Sequence, residues 1–464
     1  MYGNRLHRRG PYRIDDHAAL DAVSRDGFAA RCHERLTMND LASLDYFSDE
    51  SVAQDPYEYL AHLRSRNPIF REPHHGVMVV TGYREADEIF RNSEAFSACI
   101  SIGGPFPPLP FVPDGDDIGA QIEEHRHLFP IFEHIVTMDP PRHTRTRSLL
   151  SRLLTPKRLN ENGDYMWQLA DRRLDAIAGA GACEFLGDYA KPFATLAIAD
   201  LLGVPESERD EFRRRLTGHE EPGSRVGALD SEPVGSNPLE WLEETFGGYI
   251  RDRRTSPRAD ILGVLATTTY PDGTLPEVID IVRPATFLFA AGMETVTKLL
   301  GSAIRVLAER PEYQRLLREN RGLIAPFIEE SLRVESPTKV DFRLARRATR
   351  VADTEIPAGT VVMLCIGAAN RDPRKFEDPD EFRLDRRNSR EHIAFGRGIH
   401  TCAGAPLART EGHVTLDRLL DRFTDLAVDE TVHGSAAARD YHYEPTFLLR
   451  GLQELHITYT DAAR

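Results

Sequence analysis

Four groups of residues stand at spacings that chemistry uses. The densest lies between His392 and Arg409, where Gly396, Gly398 and Gly404 surround Cys402 just ahead of an apolar helical pattern. Glycines admit positive φ and let a backbone approach a flat object closely. A cysteine near a helix start has its thiolate favoured by free N–H groups and by the helix dipole, which suits it to act as a metal ligand. Taken alone, such a cysteine is also simply buried beside a capping turn. A zinc site from His392, His400 and Cys402 lacks the paired spacing that zinc ligands show. Upstream, Asp139-Pro140-Pro141-Arg142-His143 leads to Arg147, placing His143 and Arg147 at i, i+4 on one helical face. That pair serves as a solvated basic face or as a clamp for an anion. Ala291-Gly292-Met293-Glu294-Thr295 puts a glycine, an acid and a hydroxyl into an otherwise apolar helix. A threonine there can bond the carbonyl four residues earlier and bend the helix; a packing notch is the other reading. Glu330 and Arg333, at i, i+3, make a fourth pair.

The elements that must carry these groups are mostly helical. Hydrophobic periodicity predicts helices over 142–154, 166–178, 193–202, 207–216, 239–254, 276–307, 323–334 and 402–423. Pro284 interrupts the longest of these and predicts a kink or a late helix start. Strand patterns occur at 77–80 and across 343–363, around an Ile356-Pro357-Ala358-Gly359 turn, and 447–459 reads as a hairpin. Residues 97–117 and 218–238 are loose and rich in Gly and Pro. The fold class is therefore mainly α with a small β-rich part. Residues 1–40 read as an N-terminal extension and 41–464 as one domain.

Composition narrows the function. The 464-residue chain is 41% hydrophobic and 28% charged, which is ordinary for a globular protein. Its net charge of −15 gives no concentration of cations for nucleic-acid phosphates. No run of about 18 apolar residues is evident, so no membrane span is expected. Five widely spaced cysteines do not form a disulfide framework, and a cytoplasmic location is the simplest expectation.

The run Phe395-Gly396-Arg397-Gly398-Ile399-His400-Thr401-Cys402-Ala403-Gly404 resembles the haem-binding loop of the cytochrome P450 family, F-G-x-G-x-H-x-C-x-G, at every fixed position. The resemblance spans about residues 45–458. It implies haem b with the Cys402 thiolate as axial ligand of the iron, Phe395 packed beside the sulfur, and Gly404 closing the loop. It further implies that His143, Arg147, Arg343 and His400 hold the haem propionates, and that Glu330 and Arg333 lock the core to residues 370–382. Glu294 and Thr295 become the acid–alcohol pair that supplies protons. Leu288, Ala291, Gly292, Thr338, Val340 and Phe447 become the pocket lining, with the loops 96–117 and 218–238 capping it.

The activity so implied is monooxygenation: one oxygen atom of O2 enters an apolar small molecule. No flavin domain, cysteine cluster or nucleotide-binding signature is evident, so electrons are expected from a ferredoxin and an NAD(P)H-dependent ferredoxin reductase. The alternatives are a peroxide-driven oxidase and a haem-thiolate sensor without turnover. A sensor has no need of the Glu294–Thr295 pair.

Overall fold

The computed structural model describes residues 44–217, 227 and 239–462. The expected extension over residues 1–40, and all of the 218–238 loop but Gly227, lie outside the described residues. In chain order the main elements are α1 (Tyr57–Arg66), β1 (Ile69–Arg71), β2 (Met78–Val80), α2 (Tyr83–Arg91), β3 (Phe96–Ser97), α3 (Arg142–Leu153), α4 (Pro156–Ile177) and β4 (Ala182–Glu184). There follow α5 (Lys191–Leu201), α6 (Glu206–Thr217), α7 (Glu240–Thr255), α8 (Ile261–Thr267), α9 (Val278–Glu309), α10 (Pro311–Glu319) and α11 (Ile324–Val334). The last part holds β5 (Asp341–Ala345), β6 (Thr349–Val351), β7 (Thr354–Ile356), β8 (Val361–Leu364), α12 (Ala405–Arg422), β9 (Phe423–Val428) and β10 (His456–Asp461).

The organising element is α9. Its 32 residues span about 48 Å at the standard helical rise. Pro284 lies inside it, and the helix runs unbroken through that residue, so the expected late start does not occur. By length and composition α9 is apolar enough to cross a bilayer, which corrects the expectation that no segment is. That apolar surface is used in the interior instead: α3, α5, α7 and α12 pack around it in the largest core cluster.

Two helix starts depart from periodicity, the first because a cap sets it. α4 begins ten residues before Met166, since the Thr155 hydroxyl accepts from the Arg158 N–H and Pro156 occupies the first turn. α12 begins at Ala405 rather than Cys402, which leaves the cysteine in the preceding loop. α8 escaped the sequence reading altogether; Asp260 caps it through the Gly263 N–H at 2.7 Å.

The larger sheet has strand order β1-β2-β8-β5-β3, with β2 and β8 parallel and the other pairs antiparallel. Its period of two sorts side chains. Phe342, Leu344, Met363 and Val79 face one cluster, with Phe447 and the N-terminal helices. Ala345, Val362, Leu364 and Val80 face the other, with Ile89, Phe90 and Ile393. Arg343 stands opposite Val362 and so shares the second face. The expected hairpin over 447–459 is not formed. Instead Tyr443 bridges Leu452 and Thr338 bridges Leu449, while β10 lies between β4 and β9 in a separate three-stranded sheet.

Candidate active site

The loop before α12 folds tightly enough to present one sulfur. The Cys402 N–H donates to the Phe395 carbonyl at 2.9 Å, closing the turn. Gly396 and Gly398 have φ of 63° and 70°. At Gly398 a Cβ would also collide with the carbonyl of Phe90 at the end of α2, so the loop and α2 meet only because this residue has no side chain. Phe395 stands next to the loop with the Arg409 guanidinium 4.6 Å from its ring centre. A Cβ at Gly404 would lie 3.8 Å from the Cys402 sulfur and 3.8 Å from a Leu288 methyl, which puts Leu288 on the side of α9 that faces the loop.

Among the described cysteines, Cys99 and Cys365 are buried, Cys183 is half-buried, and Cys402 alone is exposed. Cys402 is nonetheless surrounded by protein, so its open surface faces an interior space. Burial pushes its thiol up, and the N–H groups of Gly404 and Ala405 together with Arg147 oppose that shift. The thiols of Cys99 and Cys183 are pushed up to about 12 by burial, which Ser97 and Arg126 oppose at Cys99 and Tyr459 opposes at Cys183.

Three separate elements bring nitrogen groups to this loop. His143 in α3 and His400 have ring centres 4.2 Å apart. The Arg147 guanidinium, one turn along α3, donates to the Thr401 carbonyl at 2.6 Å. Arg343 reaches over from β5, its guanidinium 5.3 Å from the Phe90 ring centre and near enough to act on His400. Arg343 also donates to Asp341 at 2.7 Å. Both ring nitrogens of His143 and Nε2 of His400 are buried with no hydrogen-bond partner. Burial and Arg147 hold His143 down at about 4, and burial followed by Arg343, His143 and Arg147 holds His400 well below its usual value. Orphaned buried donors beside two guanidinium groups are costly unless an anion joins them.

His392 belongs elsewhere. Its Nε2 lies 3.1 Å from Glu329, and its Nδ1 accepts the Ala394 N–H at 3.1 Å. Both ring nitrogens are therefore engaged, which removes it from any zinc set with His400 and Cys402.

Facing the loop, α9 changes character. Ala290 to Thr295 keep open surface, whereas the residues on both sides of this stretch are largely buried. The Thr295 hydroxyl donates to the Ala291 carbonyl at 2.7 Å, and Gly292 has only Ile198 within reach of a Cβ. Glu294 points along the helix to Lys298, 3.1 Å away, a contact whose i, i+4 spacing is present in the sequence. Thr338 is half-exposed beside Leu449. Val340 and Phe447 are buried in the second core cluster.

Behind the loop, Glu330 and Arg333 are fully buried and bonded at 2.8 Å. Arg333 donates to the carbonyls of Asn370, Pro379 and Glu381, and Glu330 accepts from Arg386 and from the Arg383 N–H. The pair thus ties α11 to residues 370–386.

Comparison with known proteins agrees with this geometry. Residues 256–433 match the family described as Cytochrome P450. A Mycobacterium tuberculosis protein, cytochrome P450 144, is 33% identical over 89% of this chain and 90% of its own length. The structure of cytochrome P450 CYP150A6 of Mycobacterium marinum, in its substrate-free form, is 59% identical, covers 91% of this chain and 100% of its own, and superposes with a TM-score of 0.85. CYP109E1 of Bacillus megaterium, solved in complex with testosterone, is 25% identical with a TM-score of 0.70. Coverage on this scale places the chain in the cytochrome P450 family of haem-thiolate monooxygenases.

Proposed function

We propose that this monooxygenase inserts one oxygen atom of O2 into an apolar small molecule bound between α9 and the Cys402 loop, using electrons from a separate ferredoxin and its NAD(P)H-dependent reductase in the cytoplasm. Members of the family carry haem b on a cysteine thiolate, and the residues of this chain fit that group. Cys402 is the open sulfur, and the orphaned nitrogens of His143 and His400 match carboxylates that the chain itself does not supply. Arg147 and Arg343 add charge-assisted donors for the same propionates. Phe395 and Gly404 shape the loop around the sulfur. When bound, haem supplies the activation of O2, which the thiolate promotes by donating electron density.

The chain's own residues do the rest. Ala291, Gly292 and Thr338 border the substrate space, with Val340 and Phe447 behind it and Leu288 turned toward Gly404. The loop over residues 96–117 closes one side. Apolar surfaces of this kind desolvate an apolar ligand and exclude water, in keeping with the steroid held by the Bacillus megaterium relative. Glu294 exchanges protons with the solvent side of α9. The Thr295 hydroxyl, anchored on Ala291, offers its oxygen toward the open stretch and passes a proton on.

The observation that carries this reading is the half-buried stretch Ala290–Thr295, in a helix largely buried on both sides, which follows Leu288, the α9 residue that approaches Gly404 beside the exposed sulfur. Its test is Thr295→Ala in a reconstituted system. Haem binding, substrate binding and NAD(P)H oxidation are expected to persist, while product per NAD(P)H falls and H2O2 per NAD(P)H rises. Unchanged coupling would leave Thr295 as a helix-packing residue.

A further inference from the structure

The open face of α9 does not end at Ala290. Phe287 and Arg283, one and two turns before Ala291, also keep open surface, whereas Pro284, Ala285 and Thr286 between them are buried. Positions 283, 287, 291 and 294 follow steps of three and four, which line one face of a helix. Arg283 therefore stands on the same face as Ala291, about 12 Å away along the helix axis.

At this far end three elements bring polar groups together. His134, in the turn that precedes α3, is almost wholly buried, with its ring centre 5.8 Å from that of Phe287. Its Nε2 stands 3.5 Å from Oε1 of Glu243 on α7. Arg283 pairs closely with Glu133 and lies 3.9 Å from the same Glu243 oxygen. Both distances to Glu243 are too long for a good hydrogen bond. Oε1 of Glu243 and Nδ1 of His134 are buried with no hydrogen-bond partner. Burial, followed by the Arg283 guanidinium, holds His134 down at about 4 against the pull of the Arg283 carbonyl. The ring is therefore neutral and offers one donor and one acceptor.

The turn is built to keep the ring there. Ile131 has φ of 44°, a costly conformation for a β-branched residue, and the His134 N–H donates to its carbonyl at 2.9 Å. The Thr137 hydroxyl reaches the His134 carbonyl at 3.0 Å. Thr137 also lines one recess with Cys99, Ile100 and Phe106 of the 96–117 loop. A carboxylate oxygen and an imidazole nitrogen, both buried and unpartnered, are costly unless a further group joins them. With Arg283 occupied by Glu133, that group must donate to Glu243, and it can also bond His134. A hydroxyl does both. A ketone has no hydrogen to donate, and a carboxylate meets the like charges of Glu133 and Glu243.

We propose that His134 and Glu243 form a recognition site for a hydroxyl group carried by the substrate at the end remote from the bond oxidised. The proposal rests on the substrate space given above between α9 and the Cys402 loop, and it adds a class: an elongated apolar alcohol whose hydroxyl lies on the order of 12 Å from the carbon that is oxidised. Phe287 and Ala290 border the apolar body between the two ends.

The experiment titrates the ferric holoenzyme with matched hydrocarbons, alcohols, ketones and carboxylic acids on straight-chain, terpenoid and steroid skeletons, following the shift from low to high spin. On the skeleton that binds best, the alcohol is expected to bind roughly tenfold tighter than its three counterparts. Glu243→Leu and His134→Phe keep bulk and remove the polar atoms. Each is expected to abolish the preference while the hydrocarbon affinity and the spectrum of the reduced, CO-bound protein stay those of the parent. Glu243→Gln supplies a donor and is expected to raise ketone affinity relative to alcohol. Equal affinities across a matched set in the parent, or a preference that survives both apolar substitutions, would overturn the proposal. If these compounds bind and are oxidised with no preference for the alcohol, the monooxygenase reading stands and the hydroxyl site falls. If none binds or is oxidised, both fall.

Discussion

Cys402 and the four nitrogen-bearing residues around it carry different burdens. In the proposed site the cysteine decides the kind of ligation, so Cys402→His is expected to move the Soret band of the reduced, CO-bound protein from the strongly red-shifted thiolate position to the imidazole position. A retained thiolate spectrum would transfer the ligand role to another cysteine. In the proposed site, Arg147 and Arg343 decide how tightly the haem is held. Each charge-assisted bond lost to a propionate is worth about 1.5–3 kcal/mol, or roughly tenfold or more in affinity. Arg147→Ala and Arg343→Ala should therefore lose haem faster to an apo-globin acceptor, with no change in CO spectral type. Arg147 also bonds the Thr401 carbonyl next to the ligand, so its loss should be the larger of the two.

At the level of elements, the firmest joint is the one that Glu330 and Arg333 make between α11 and residues 370–386. Both side chains are fully buried, and five further bonds converge on the pair from that later segment. Removing one partner of such a pair leaves an uncompensated buried charge and costs about 3–5 kcal/mol. Arg333→Ala is expected to lower the urea midpoint for unfolding sharply and to yield mostly haem-free protein. Thr155→Ala, which removes only the cap of α4, is expected to cost about 1 kcal/mol and to leave haem content intact. Comparable effects from the two changes, measured by urea unfolding, would show that the joint is not what holds the loop's platform.

Across the whole molecule, stability at low pH depends on carboxylates locked among arginines. Glu335 at the end of α11 bonds Arg450 at 2.6 Å and Arg305 of α9 at 3.4 Å, so it ties the C-terminal stretch to the central helix. Burial alone would raise its pKa, but Arg450, Arg305 and Arg371 win and hold it at about 2. A carboxyl depressed in the folded state stabilises fully above its unfolded value, about 4.3, and loses that contribution as pH falls toward the folded value. The urea midpoint is expected to drop between about pH 4.3 and 2. In Glu335→Gln the midpoint should be lower at neutral pH and flatter across that window. A parent-like slope in the variant would assign the acid transition to other groups, such as Glu329, which His392 and Arg409 also hold at about 2.

The sequence by itself determined the parts that are local. The Cys402 loop was legible because its glycines, histidine and cysteine are consecutive, and the turn they make depends on their own φ angles. The break at Gly292–Thr295 was legible for the same reason: the hydroxyl and its acceptor carbonyl sit one helical turn apart. Helix interiors followed from apolar periodicity, while the starts of α4 and α8 were missed because single capping residues, Thr155 and Asp260, set them. Only the tertiary structure decided what depends on distant segments meeting. The face on which Arg343 lies follows from β5 pairing with β8. The engagement of His392 by Glu329 requires α11 to pack against the loop. The separation of β10 from residues 443–452 is set by its partners β4 and β9. The burial of Lys298 between Glu294 and Glu444 needs a glycine 153 positions along the chain to leave room for its stem. Apart from the i, i+4 step from Glu294 to Lys298, such contacts carry no periodic or sequential signature, because the residues share a neighbourhood in space and none in the chain.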